Sequence, residues 1–198
     1  QAFGPIAAHL YESVNDTVGF TITSTVCDSN NNCDRTTNTV LTTDPEGATP
    51  TACIFVTTQG TGCTGTPFSG GDFDASVVAA RTGHACDGYV CRRLLFKRGD
   101  TFTASTGVTL DSVGEGVGDG VLGAYGSGSR PIIQWAGGAP STNWIAITGN
   151  KWRITDLEFD GASTSSTNFS TITTTGDGTV LNNVYIHDSF RMLYATQN

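Results

Sequence analysis

The stretch from Asn143 to Asp188 constrains the fold most, because it repeats. NWIAITGNKWRITDLEFDG (143–161) aligns with NFSTITTTGDGTVLNNVYIHD (168–188). In this alignment Ile147 falls over Ile172, a step of 25. After a two-residue insertion, Ile154 falls over Leu181, Leu157 over Val184 and Phe159 over Ile186, each a step of 27. Both copies run as a short strand, a Gly-containing turn and a second strand. A period in the twenties built from short strands predicts one coil of a solenoid, whose apolar face is buried only when the next coil stacks on it.

Composition agrees with a β-rich chain. Thr, Ser, Gly and Asn dominate the polar positions; Thr favours pleated strands, while Gly and Asn favour turns. No window shows capped helical periodicity over three turns. Only 14% of the 198 residues are charged and the net charge is −8, which argues against a nucleic-acid partner that needs clustered Lys and Arg. No apolar run approaches the roughly 20 residues of a membrane-spanning helix, so no membrane insertion is expected.

Six cysteines fall as three close pairs: Cys27 and Cys33, Cys53 and Cys63, Cys86 and Cys91. An even count at local spacing suggests disulfides and an oxidising compartment, so a secreted or cell-surface chain is expected. Sequence alone leaves all fifteen connectivities of six cysteines open. A zinc site would call for CxxC pairs or nearby histidines. The sequons at Asn15 and Asn168 fit an exported glycoprotein.

In residues 1–43, VGFTITSTV places Val18, Phe20, Ile22 and Val26 on one parity and Thr21, Thr23 and Thr25 on the other, the pattern of a half-buried strand. CDSNNNC reads as a polar turn and DRTTNTVLT as the returning strand, so a Cys27–Cys33 disulfide would staple the hairpin. The order His9, Tyr11, Val18, Phe20, Ile22, Val26, Asp28 over 7–42 resembles the last part of a PKD domain, an immunoglobulin-like extracellular module. The turn glycine usual in that family is Asn here, and the earlier strands with their Trp-x-Phe-Gly-Asp motif are absent. Two or three strands with open edges are not stable alone. The expectation is therefore a piece of a longer chain, or completion by a strand from another copy.

Residues 44–71 read as a disulfide-bonded linker around one short strand, CIFVTT, because Pro and Gly break any longer element. In FDASVVAARTG, Asp72 or Asp74 offers an N-cap, Val77, Val78 and Ala80 an apolar face, and Gly83 a stop, which predicts a short helix. Next come RRLLFKRGDTF, a strand ending in an Arg-Gly-Asp turn, and then glycine-punctuated strands. The helix, LLFKRGDTF, LGAYGSGSRPII and WRITDLEFDG together resemble the N-terminal cap and first coils of bacterial right-handed parallel β-helix proteins of the pectate-lyase-like group. That resemblance covers 72–198. Together the two resemblances imply an all-β chain, a partial immunoglobulin-like sandwich followed by about three coils, whose last strand would need a further coil or another copy to cover it.

Candidate chemistry centres on the aligned coils. If Leu157 and Phe159 point inward, Glu158 and Asp160 point outward, and one coil later so do Tyr185 and His187. Coils stack about 4.8 Å apart, so Glu158 is expected beside Tyr185 and Asp160 beside His187. That strip could bind a sugar or move protons on it; equally, outward positions of any solenoid are polar and Asp160 and Asp188 make turns. Asp28, Asn30, Asn32 and Asp34 space oxygens like a calcium loop, but Cys33 and Thr39 stand where such a loop has Gly and Glu. Asp111, Glu115 and Asp119 offer a second set of oxygens for calcium or a solvated loop. Arg98-Gly99-Asp100 matches an adhesion tripeptide but reads better as the turn that opens the first coil. Trp144 and Trp152 are expected in the core or cap, with sugar stacking as the alternative. Relatives of the lyase-like group that act on polysaccharide use an Arg or Lys base with calcium-binding carboxylates on later coils. No matching set is present, so no catalytic residue carries over.

The sequence thus points to an extracellular structural or adhesive module that associates with polysaccharide or, as filaments, with copies of itself. The alternative is the front part of a polysaccharide lyase or glycoside hydrolase.

Overall fold

The computed structural model describes residues 15–28, 32–42, 49–114, 119–137, 143–162, 170–189 and 191–195. The chain divides into two compact units, Gln1–Ala48 and Thr49–Asn198. The described residues are mostly strand, with one short helix.

In the first unit β1 (Asn15–Cys27) and β2 (Cys33–Thr42) form an antiparallel hairpin with Phe20 opposite Val40 and Cys27 opposite Cys33. The turn is closed by its own side chains: the Asp28 carboxylate accepts from the Asn32 backbone N–H at 2.9 Å and from Asn32 Nδ2 at 3.0 Å. The Cys27–Cys33 disulfide closes the same end. The strand and the returning strand lie where the sequence expects them.

The second unit is built from three parallel sheets. One runs β4 (Thr66–Ser69), β3 (Thr51–Phe55), β5 (Arg93–Lys97), β8 (Gly120–Tyr125), β11 (Trp152–Thr155), β14 (Val180–Asn182). The second runs β6 (Thr101–Ala104), β9 (Ile132–Trp135), β12 (Glu158–Asp160), β15 (Tyr185–His187). The third runs β7 (Val108–Leu110), β10 (Ile145–Ile147), β13 (Ser170–Thr174), β16 (Arg191–Ala195). From β5 onward every strand therefore pairs with the strand three places later, and the chain visits each sheet once per coil. The described residues form four coils, one more than the count expected from sequence.

Apolar residues stack in columns across these coils. Val108, Ile145 and Ile172 are in register in one sheet, Phe102, Ile133 and Phe159 in another, and Leu94, Leu122 and Ile154 in the third. All nine belong to one buried core. Edge-to-face aromatic contacts tie the columns together, Trp135 on Trp144 at 5.4 Å and Trp144 on Phe159 at 5.5 Å. Trp144 and Trp152 are fully buried, so both are core residues and sugar stacking on them is excluded.

Three details differ from the sequence expectation. First, Ile172 pairs with Ile145 rather than Ile147. The step is 27 here as well, and the inferred insertion disappears; a two-residue slip keeps side-chain parity, so the periodicity alone could not detect it. Second, WRITDLEFDG and VLNNVYIHD each bend into two strands of different sheets. Asp156 (φ 59°) and Asn183 (φ 52°) make the corners, residue types that enter the left-handed region at lowest cost after Gly. Third, residues 44–71 hold β3 and β4, both strands of the largest sheet. Among the described residues, Pro50, Gly60, Gly62, Gly65, Gly70 and Gly71 lie outside the strands, and Pro67 sits in the edge strand β4, where no ladder donor is needed.

The helix α1 (Phe73–Arg81) is capped by Asp72, whose side chain accepts from Ala75 N at 2.8 Å. Val77 and Ala80 are buried, but Val78 is exposed, because it lies about 100° around the helix from Val77. Asp74, the other cap candidate, is buried and instead joins the helix to the β6–β7 corner: its Oδ2 accepts from the Ser105 and Thr106 backbone N–H groups at 2.6 and 2.8 Å. Asp74→Ala strands those two donors. Replacement should cost about 1–3 kcal/mol, read as a lower urea midpoint.

All three close cysteine pairs are bonded: Cys27–Cys33, Cys53–Cys63 and Cys86–Cys91. The Cys53–Cys63 bond spans 10 residues and ties the buried strand β3 to the loop before β4. On loop-closure grounds the double replacement Cys53→Ala/Cys63→Ala should lower stability by about 2–3 kcal/mol, measured by denaturant unfolding against the oxidised wild type.

Candidate functional site

The outer face of the β6–β9–β12–β15 sheet carries two columns of outward side chains. Thr101, Ile132, Glu158 and Tyr185 are in register in one, and Thr103, Gln134, Asp160 and His187 in the other. Inward Phe159 is fully buried while Glu158 and Asp160 remain partly exposed, which is the alternation of a half-buried strand. The pairs expected from the repeat, Glu158 beside Tyr185 and Asp160 beside His187, are the observed partners.

The four side chains converge. His187 Nε2 lies 3.3 Å from Glu158 Oε1, and His187 Nδ1 lies 3.9 Å from Asp160 Oδ1. The Tyr185 ring stacks on the imidazole with centroids 4.9 Å apart and planes 28° from parallel. Tyr185 is 52% exposed, so its outer face is open to solvent. Gln134 donates to Asp160 Oδ2 at 2.9 Å, and the Ala162 N–H donates to Asp160 Oδ1 at 2.9 Å, fixing that carboxylate.

A fifth member was not visible in the sequence pattern. Asp188 reads as a turn residue, and it is one, at φ 51°. That turn also brings its Oδ2 to 2.8 Å from His187 Nδ1. Gly161 makes the close approach possible, since a Cβ there would collide with the Asp188 carbonyl. Asp160, His187 and Asp188 together offer three ligand atoms within 4.8 Å of one another.

The imidazole is held above its ordinary value near 6.5, chiefly by the hydrogen bond to Asp188. Partial burial opposes this, while the Glu158 hydrogen bond and the Asp160 and Asp188 charges add to it. A raised folded-state value favours the charged ring: its stabilisation is complete below the unfolded-state value and is lost as pH rises through the folded one. The ring is near solvent, so titration is the sensitive readout. In Asp188→Asn the His187 midpoint, followed by imidazole NMR, should move down toward that of a free histidine.

Several other candidates have partners of their own. Arg98 donates to Asp156 Oδ2 at 2.8 Å and Asp100 Oδ2 accepts from Val56 N at 2.8 Å, so both charged side chains of the Arg-Gly-Asp turn serve the fold. Asp28 closes its own turn, and Asp34 lies opposite Val26 in the hairpin; Asn30 lies outside the described residues, as do Glu115 and Asn168. Asn15 opens β1, opposite Thr42. Asp111 pairs with Arg81 and accepts from Val113 N. No helix among the described residues is long and apolar enough to cross a membrane. Comparison with protein-family models, curated proteins and solved structures finds no match for this chain.

Proposed function

We propose that this chain belongs to an exported extracellular or cell-surface protein of structural or adhesive role, and that its Glu158–Asp160–Tyr185–His187 strip binds carbohydrate. In this reading the Thr49–Asn198 unit, with β3 and β4 in its largest sheet, holds the cap and first coils of a right-handed parallel β-helix, and residues 1–43 are the last strands of a PKD-like module. The strand-to-strand step of three through three parallel sheets and the polar outer strip support the first assignment. The three disulfides fit an oxidising compartment.

One observation carries the binding assignment: an exposed phenol stacked on an imidazole and flanked by two carboxylates. An aromatic ring offers a sugar its apolar face and a polar handle, and carboxylates accept from hydroxyls. The negative strip and the net charge of −8 favour neutral over uronate-rich polysaccharides. Affinity electrophoresis through gels containing neutral polysaccharides tests this. The wild type should be retarded, and Tyr185→Ala, a change at an exposed side chain, should abolish the retardation. Equal mobility in every gel, or undiminished retardation of the variant, would remove the proposal.

A lyase or hydrolase reading draws on the same place, because His187 lies among carboxylates and a phenol that could pass a proton. It requires the release of new reducing ends from a retained polysaccharide.

A further inference from the structure

We propose that Asp160, His187 and Asp188 form a binding site for a divalent transition-metal ion of the zinc type, with Glu158 as the carboxylate that orients the histidine. The inference goes beyond the carbohydrate reading and does not rest on it.

The first argument is the donor set. His187 Nδ1, Asp160 Oδ1 and Asp188 Oδ2 come from adjacent coils, with Nδ1 3.9 Å from the first carboxylate and 2.8 Å from the second. Zinc–nitrogen and zinc–oxygen bonds near 2.0–2.2 Å place tetrahedral donors about 3.4 Å apart. The observed separations bracket that value, so ordinary side-chain rotation suffices to gather them around one ion. Three protein ligands leave a fourth position for water or a ligand oxygen.

The second argument is the other ring nitrogen. A neutral imidazole has one N–H and one bare nitrogen, yet here both nitrogens face carboxylates. Glu158 faces Nε2 at 3.3 Å and Asp188 faces Nδ1 at 2.8 Å, so a neutral ring satisfies one of the two carboxylates and a second cation is needed for the other. A proton can fill that role, and so can a metal ion. A carboxylate on the far nitrogen is the usual companion of a metal-bound histidine, because it fixes the tautomer and raises ligand basicity. Gln134 and the Ala162 N–H steady Asp160 in the same manner; each carboxylate oxygen keeps further acceptor capacity.

The nitrogen donor also selects the metal. Calcium takes six to eight oxygens, whereas mixed imidazole and carboxylate suits zinc and its neighbours. This site is therefore distinct in chemistry from the calcium loop expected at Asp28–Asp34.

Isothermal titration of the folded chain with zinc chloride alone, followed by calcium chloride, tests the proposal. We expect one zinc per chain, at least tenfold weaker binding in His187→Gln and Asp188→Asn, and a loss of roughly tenfold or more in Glu158→Gln. In the wild type, zinc should shift the imidazole resonances of His187 and leave those of His9 and His84 in place, a readout that needs no variant to fold. Absence of zinc binding, undiminished affinity in a correctly folded His187→Gln, or zinc shifts at the other histidines alone would overturn the site. Because no glycan is present, its failure would leave the carbohydrate proposal standing, and the reverse also holds.

Discussion

Trp152→Ala should lower the unfolding free energy of the Thr49–Asn198 unit by about 3–5 kcal/mol, the range for emptying a buried Trp site. Trp152 is fully buried at the start of β11 and donates from Nε1 to the Asp111 carbonyl at 3.0 Å. Its ring is also the surface on which a buried cation rests. The Arg92 guanidinium, itself without solvent exposure, lies 4.5 Å from the ring centroid, and Arg81 lies 5.2 Å away on the same indole. Removing the ring therefore opens a cavity and takes the cation–π partner from a charge that water cannot reach.

A paired variant separates this from a general packing loss. Gly120 is the β8 partner of Trp152, and a Cβ at Gly120 would enter the indole ring. Gly120→Ala should therefore destabilise the wild type strongly and the Trp152→Ala background much less, a coupling expected only of residues in contact. Urea unfolding of the four proteins gives the cycle. Additive effects would mean that the ring does not occupy the space above Gly120. Val78→Ala, on the exposed face of α1, serves as the neutral control.

The second large effect is expected at Gly176. Its amide donates to the Ile147 carbonyl at 3.3 Å, and a Cβ there would overlap the Gly149 carbonyl; a Cβ at Gly149 would in turn overlap the Asp111 carbonyl. Three successive coils thus touch backbone to backbone at one corner. A methyl group at Gly176 must push two coils apart, with roughly 2–3 kcal/mol expected, the upper part of the overpacking range. Gly88→Ala is the comparison: it has φ 88° but nothing within 4 Å, so it carries only the left-handed strain of about 1–2 kcal/mol. Hydrogen exchange should show the Gly176→Ala loss concentrated in β13 and β14. Equal protection patterns in the two variants would count against a coil-spacing effect.

How far these features were legible depends on the distance over which each is decided. The Ile154–Leu181, Glu158–Tyr185, Phe159–Ile186 and Asp160–His187 pairs were readable because adjacent coils here have the same length, so a constant step of 27 carries one coil onto the next. The earlier coils do not repeat that length: Gly120 pairs with Trp152, a step of 32, and Val108 with Ile145, a step of 37. Alignment of sequence fails there, although the alternation of apolar residues still marked the strands. The cap of α1 and the hairpin turn were local and readable for the same reason. The Asp156 and Asn183 corners were not, since Asp and Asn are only permissive of left-handed backbone and do not require it.

Residue pattern alone determined that this chain makes short strands, that its coils stack, and that two carboxylates share a face with a phenol and an imidazole. Tertiary structure decided the rest. It placed β3 and β4 in the large sheet, buried Arg92 beneath Trp152 and turned Asp188 back onto His187. Periodicity is a property of neighbouring residues, which one sequence displays. Which cation is covered is set by Arg92 meeting Asn150 and Trp152, 58 and 60 residues away, and the Asp188 corner packs on Gly161, 27 residues back; no local pattern records those meetings.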